Sequence, residues 1–313
     1  MTAAVRTVFL GSGAFAVPVV EALSGHPAVD LIAVVTAPTR PGSRGRPTDP
    51  PVAQWATEHG LPMLRPVRLR TAESVAALAE LAPDLLVLAD YGQIVPAAAL
   101  DLPRHGALNL HPSLLPRHRG ATPIPAAIMA GDSETGVSLM LMDAGLDSGP
   151  LIAQRRVPLT GRETAPDLER DLAGVAAELL DASLGPWLGG ELVPRAQPEE
   201  GVTLTRPLRR EDGRLDPTKS AAELERQVRA YQPWPGSFVE TEVGRLIVWQ
   251  ASIGRESYPM PTGKLTMLDD GRLSLVASDR FLDLEQVQPA GGRRMSGAEL
   301  VRGRPGFAGH FAK

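Results

Sequence analysis

Two separated stretches hold the residue types that could do chemistry: an Asn-x-His pair, Asn109 and His111, and an aspartate, Asp147, in the glycine-flanked run Met142-Asp-Ala-Gly-Leu-Asp-Ser-Gly149. Asn109 and His111 end an apolar run that Pro112 halts, so on a strand both project from one face. An amide donates to a carbonyl oxygen, and an imidazole donates a hydrogen bond or accepts a proton near neutral pH. Together they suit a site where a carbonyl oxygen becomes negative. Asp147 adds a proton acceptor if its loop folds back over the sheet. A lone histidine near a strand end is more often structural, and it is the aspartate loop that favours chemistry. Asp143, in the same loop, reads as part of a solvated turn. No metal is expected: His26, His59, His105 and His118 lack the close spacing of a structural site, and the absence of cysteine excludes thiolate ligands, thiol catalysis and disulfides.

A third candidate is Gly11-x-Gly13-x-x-Ala16, which follows one apolar run and opens a helical one, as a dinucleotide fingerprint does. That fingerprint also needs an acidic residue closing the second strand, and here the strand ends Val34-Val35-Thr36-Ala37. A tight packing turn at the ligand edge is therefore the better reading. A nicotinamide-dependent oxidoreductase is the alternative that rests on this turn.

The elements that must hold these residues follow from the apolar pattern. Val5 to Leu10, Leu31 to Val35, Leu85 to Ala89 and Ala107 to Leu110 read as strands. They alternate with helical segments at Phe15 to Leu23, Val52 to His59 and Ala72 to Leu81. The run Leu85 to Ala89 is continuously apolar, the mark of a strand covered on both faces. A helical segment at Pro125 to Ala130, an alternating stretch at Val137 to Leu141 and a helix over Leu168 to Leu184 follow. Gly185 to Pro217, rich in Pro, Gly and charge, reads as a connector. Beyond it Ser220 and Glu223 form a capping box for a helix carrying Leu224, Val228 and Tyr231, and short strands separated by turn residues complete the chain. The expected fold is α/β, a Rossmann-like, mostly parallel sheet with a small C-terminal OB-like β-barrel. The expected boundaries are 1–188 for the catalytic domain, 189–207 for a linker and 208–313 for the barrel.

Bulk properties narrow the class. A chain of 313 residues is comfortable as two domains. No apolar stretch approaches the roughly 18 residues that span a bilayer, and Gly11, Ser12, Gly13 and Pro18 interrupt the opening run that might pass for a signal peptide. The expectation is a cytoplasmic protein without a membrane partner. The net charge of −4 argues against strong nonspecific nucleic-acid binding. The charge is uneven: residues 1–205 carry 15 Lys+Arg and 22 Asp+Glu, whereas residues 206–313 carry 17 and 14.

The run Gly106-Ala-Leu-Asn-Leu-His-Pro-Ser-Leu-Leu-Pro-Arg-His-Arg-Gly-Ala-Thr-Pro-Ile, with Glu134-Thr-Gly-Val and Met142-Asp-Ala-Gly-Leu-Asp-Ser-Gly, resembles the folate-dependent formyltransferases. Agreement with the tRNA-directed members runs from Phe9-Leu-Gly-Ser through Asp90-Tyr-Gly-Gln-Ile-Val-Pro to Arg229-Ala-Tyr-Gln-Pro-Trp-Pro-Gly. The resemblance implies that Asn109, His111 and Asp147 are catalytic and that Ser113, Leu114, Leu115 and Pro116 contact the folate. It implies 10-formyltetrahydrofolate as donor and the methionine α-amine of charged initiator tRNA as acceptor, with no DNA partner. A loop at Thr36 to Pro51 is implied to enter the tRNA acceptor end through Arg40 and Arg44, since guanidinium groups bind phosphate and stack on bases. This loop departs from the commoner pattern, with Pro47-Thr48-Asp49 where lysines often follow. The related alternative is a formyltransferase acting on a sugar-nucleotide amine. A monomer is expected.

Overall fold

The computed structural model describes residues 4–41, 47–256 and 260–312. The chain forms two compact units, one of Met1–Pro123, Glu134–Pro158 and Glu169–Arg206, the other of Ile124–Ser133, Leu159–Leu168 and Pro207–Lys313. In order, the first half holds β1 (Val5–Gly11), α1 (Ala16–Gly25), β2 (Val29–Val35), β3 (Arg40–Pro41), β4 (Pro47–Thr48), α2 (Pro51–Glu58), β5 (Met63–Leu64), α3 (Ala72–Glu80), β6 (Leu85–Ala89), α4 (Ala97–Leu100) and β7 (Ala107–His111). Next come β8 (Arg119–Gly120), α5 (Pro123–Ala130), β9 (Glu134–Leu141), β10 (Leu151–Pro158), α6 (Ala165–Leu188) and β11 (Leu204–Thr205).

The main sheet has the order β10-β9-β7-β6-β1-β2-β5. From β7 to β5 neighbours run parallel, while β9 and β10 add an antiparallel edge. Strand β6 sits between β1 and β7 with all five residues buried, as its unbroken apolar run requires. The helices start where local chemistry allows. Thr71 accepts from the Ser74 N–H to begin α3, with Glu73 in its first turn, and α2 begins at Pro51, whose missing N–H costs nothing there. Strand β10 escapes an apolar-pattern search because Gln154, Arg155 and Arg156 lie exposed along it.

Two differences from the sequence expectation concern the stretch read as a linker. Residues 185–188 complete α6, with Pro186 inside its last turn. Residues 195–205 then pack on the first unit: Arg195 bridges Leu151, and β11 pairs with β8 in parallel. The segments 124–133 and 159–168, expected within the first domain, group with the second unit, where Arg226 Nε donates to the Met129 carbonyl and Arg229 Nη1 to that of Glu163.

The second unit adds α7 (Ala221–Ala230), β12 (Ser237–Thr241), β13 (Gly244–Glu256), β14 (Leu265–Met267), β15 (Leu273–Val276), β16 (Arg280–Pro289), β17 (Met295–Ser296) and α8 (Gly297–Gly303). Its six strands make one curled antiparallel sheet, β12-β13-β16-β15-β14, with β17 on β16. Register shifts punctuate the long β13–β16 ladder, as bending such long strands requires. Leu224 and Val228 of α7 and Leu300 of α8 share a core with Val239, Leu246, Leu275 and Val287. The Ser220–Glu223 capping box forms as read, and an unread one, Ser296 with Glu299, starts α8.

Candidate active site

Strand β7 lies between β6 and β9, with Asn109 opposite Leu88 on one side and Met140 on the other. The His111 side chain is buried, and its Nε2 lies 3.0 Å from the carbonyl oxygen of His118. A carbonyl only accepts, so Nε2 carries the proton and Nδ1 is the edge left for chemistry. That nitrogen lies 3.7 Å from Oδ2 of Asp147. The Asn109 side chain, only partly buried, makes no hydrogen bond among the described residues, which leaves its NH2 ready for a ligand oxygen.

Asp147 reaches His111 by a return path. The loop after β9 leaves beside the start of β7, where the Met142 N–H donates to the Ala107 carbonyl. It then runs back so that Asp147 Oδ2 accepts from the Gly120 N–H at 2.7 Å. Asp147 adopts φ +47°, a left-handed conformation that non-glycine residues rarely hold without support. Asp143 braces the same loop, accepting from the Gly145 N–H and the Ser148 hydroxyl. At Gly149 a Cβ would overlap the Leu141 carbonyl, so the loop can lie this close only with glycine there. Thus the structure brings Asn109, His111 and Asp147 to one region of the sheet.

The turn Ser113-Leu-Leu-Pro116 is largely engaged with its own surroundings. The Ser138 hydroxyl donates to the Ser113 carbonyl and accepts from the Leu115 N–H, and Gln154 donates to the Leu115 carbonyl. Ser113 Oγ donates to the Arg117 carbonyl. Ser113 and Leu115 are buried, while Leu114 and Pro116 keep partial exposure. Most polar groups of this turn therefore shape it rather than face a ligand.

The Gly11–Gly13 turn is likewise spent internally. The Ser12 and Gly13 N–H groups donate to the Asp90 carbonyl, and a Cβ on Gly13 would run into the Asp90 carboxyl. No amide pair is left there to cradle a pyrophosphate. Asp90 itself, at φ +44°, still reaches solvent but lies in crowded surroundings. Its carboxyl is pushed up to about 6, first by lost hydration and then by the charge of Glu169.

Arg44 lies outside the described residues. Arg40 opens β3, which pairs antiparallel with β4. The acidic departure in this loop has a local use: Arg65 Nη1 donates to Asp49 at 2.7 Å and to Thr39 at 3.0 Å, and holds the Asp49 carboxyl below the usual carboxylate range.

Sequence reading missed His118, Gly120, Ser138 and Gln154, which orient the candidate groups. Only Gly120, in the Arg-Gly step before Ala121, carried a local signal. At φ +107° it has no room for a Cβ, because the Thr205 carbonyl lies against it. Among the described residues no three His, Asp or Glu side chains are grouped to hold a metal ion, and no helix is long and apolar enough to cross a membrane.

Comparison with known proteins puts a family beside this geometry. Residues 5–184 match the formyl transferase family and residues 207–305 its C-terminal domain. The chain is 43% identical over 305 residues to the methionyl-tRNA formyltransferase of Halorhodospira halophila, covering 96% of this chain and 97% of that one. It is 43% identical over 299 residues to the methionyl-tRNA formyltransferase of Myxococcus xanthus, covering 95% of each. Among solved structures it is similar to an N-formyltransferase from Helicobacter canadensis in complex with folinic acid and dTDP-3-aminofucose, with TM-score 0.67, 16% identity and coverage of 93% of this chain and 100% of that one. HypX from Aquifex aeolicus in complex with tetrahydrofolic acid gives TM-score 0.62 at 17% identity, covering 96% of this chain and 47% of the HypX chain. At these identities the two structures speak to the fold alone.

Proposed function

This chain belongs to the formyl transferase family, and we propose that its reaction runs through Asn109, His111 and Asp147. Relatives at 41–43% identity over nearly the full length are methionyl-tRNA formyltransferases, and the protein transfers a formyl group to the α-amine of methionyl-tRNA. Its co-substrate is a folate, which we take to be 10-formyltetrahydrofolate, and the tRNA to be the initiator. The residues present fit such a ligand. Asn109 has an uncommitted amide, and Ile94 and Leu146 expose apolar side chains that a pterin or benzoyl ring would cover. Leu114 and Pro116, the partly exposed members of the Ser113–Pro116 turn, would supply further contact.

The donor brings a formyl group on nitrogen. The methionine amine attacks its carbon as the free base, a modest demand because free α-amino groups have pKa about 7.7 to 8. As the carbonyl oxygen becomes negative, the Asn109 NH2 donates to it. His111 accepts a proton at Nδ1, and the imidazolium so formed is stabilised by Asp147 Oδ2 at 3.7 Å. The proton then passes to the departing folate nitrogen, through Asp147 or a water. The pairing of His111 Nδ1 with Asp147 is the observation that carries this reading. We assign Arg40 and Arg44 to the tRNA acceptor end, and residues 208–313 to backbone binding by their excess of basic residues.

The test is formylation of charged initiator and elongator methionyl-tRNA by the pure protein with 10-formyltetrahydrofolate. Wild type should formylate the initiator. Asn109→Ala should lose roughly a hundredfold to a thousandfold in kcat, as removal of one oxyanion donor does, and Asp147→Asn should do at least as badly while tRNA binding survives. Transfer only to an amino sugar would overturn the acceptor assignment, and a fully active Asp147→Asn would overturn the mechanism.

A further inference from the structure

A glutamine in the stretch that sequence alone reads as linker is bonded to the backbone of the catalytic aspartate. Gln197 Nε2 donates to the Asp147 carbonyl and to the Gly149 carbonyl, each at 2.8 Å. Its Oε1 accepts from Arg119 Nε at 3.0 Å and Nη2 at 2.7 Å. A guanidinium has donors only, so the amide oxygen must face Arg119 and the NH2 must face the two carbonyls. Both amide protons and both oxygen lone pairs are then satisfied. The next residue after Arg119 is Gly120, whose N–H holds the Asp147 carboxylate. The hydrogen bonds therefore close a ring, from Arg119 to Gln197, to the Asp147 backbone, through the Asp147 side chain to Gly120, and back along the chain. The strand carrying Arg119 and Gly120 is itself held by β11, with Thr205 Oγ1 donating to the Arg119 carbonyl.

The left-handed φ of Asp147 gives this ring its purpose. A non-glycine residue held there is strained and persists only when its neighbours over-determine it. Gly120 fixes the carboxylate, and Gln197 fixes the peptide on which that carboxylate rides. We propose that Gln197 is a positioning residue for formyl transfer, acting through Asp147 and anchored by Arg119. It touches neither substrate in this role. The inference rests on the assignment of Asp147 to catalysis made above.

Two substitutions separate the bonds. Gln197→Leu keeps the bulk and removes every hydrogen bond. Gln197→Glu keeps the acceptor for Arg119 and sets a carboxylate oxygen against two carbonyls that need donors. Both should lower kcat by about tenfold to a hundredfold, the scale of a misplacement near 1 Å, with KM for tRNA and for folate within about threefold of wild type. In both, hydrogen exchange of peptides covering residues 143–149 should quicken, with exchange elsewhere unaltered. Neither variant should cost a further factor in the Asp147→Asn background. Wild-type kcat in Gln197→Glu, or unaltered exchange at 143–149 in both variants, would overturn the proposal. The exchange measurement needs no turnover, so a wild-type protein that fails to formylate methionyl-tRNA would sink the functional reading and leave this result to be judged by itself.

Discussion

Among the described residues, His111 makes its only close polar contact besides Asp147 with a group that can do nothing but accept, the carbonyl of His118. That single bond chooses the tautomer, and with it the nitrogen available as a base. The surroundings of Asp90 shift its protonation. Its acid form is favoured in the folded protein, with a pKa near 6 against 3.8 for the free side chain. Between those values the native state binds more protons than the unfolded chain, so stability falls as pH rises from about 4 to 6 and stays lower above. Asp90→Asn mimics the protonated form. It should raise the melting temperature at pH 7.5, with the gain shrinking toward zero by pH 4, in thermal scans across that range. A gain that grew toward low pH would reverse the assignment.

At the scale of elements, the placing of Asn109 and His111 on one strand and of Asp147 on a loop that returns to them was legible because strand alternation, a halting proline and a glycine-rich loop are local patterns. The mostly parallel sheet was legible from the same kind of signal, above all the unbroken Leu85–Ala89 run. What stayed hidden depends on partners far along the chain. Nothing near Gly120 announces that Thr205 will press against it, and Gln197 is 50 residues from Asp147. Strand β10 is hidden by its exposed arginines, and α8, at 7 residues, is too short to show an apolar period although Ser296 and Glu299 spell the same capping box as Ser220 and Glu223. The β8–β11 pairing predicts its own weak point. Gly120→Ala would set a Cβ against the Thr205 carbonyl at a φ of +107°, so the ladder must part and the Asp147 carboxylate must lose its N–H. That variant should fall in kcat by about tenfold or more, a loss of at least about 1.4 kcal/mol in transition-state stabilisation, measured with both substrates saturating.

Over the whole molecule, charge is divided rather than balanced. Residues 1–205 sum to −7 and residues 206–313 to +3. In the second unit Arg209, Arg210, Arg293 and Arg294 are exposed, and Arg294 lies over the Trp249 ring. Each phosphate neutralised by such groups releases counterions, so affinity for tRNA must fall as salt rises. With about three phosphates engaged, raising salt from about 50 to about 200 mM should increase KM for tRNA by roughly tenfold or more. KM for the folate should change far less. A tRNA KM indifferent to salt would remove electrostatics from the recognition.

The β8–β11 ladder also sets where the molecule can be cut. A fragment ending at Leu188 would encode all three side chains assigned to the reaction, yet it would leave out Gln197, Thr203 and the short strand on which Arg119 and Gly120 lean. Its aspartate loop would hang from one end only. Anyone wishing to express the first unit by itself should place the stop codon no earlier than Arg206, because the scaffolding of the candidate site extends some twenty residues past its last long helix.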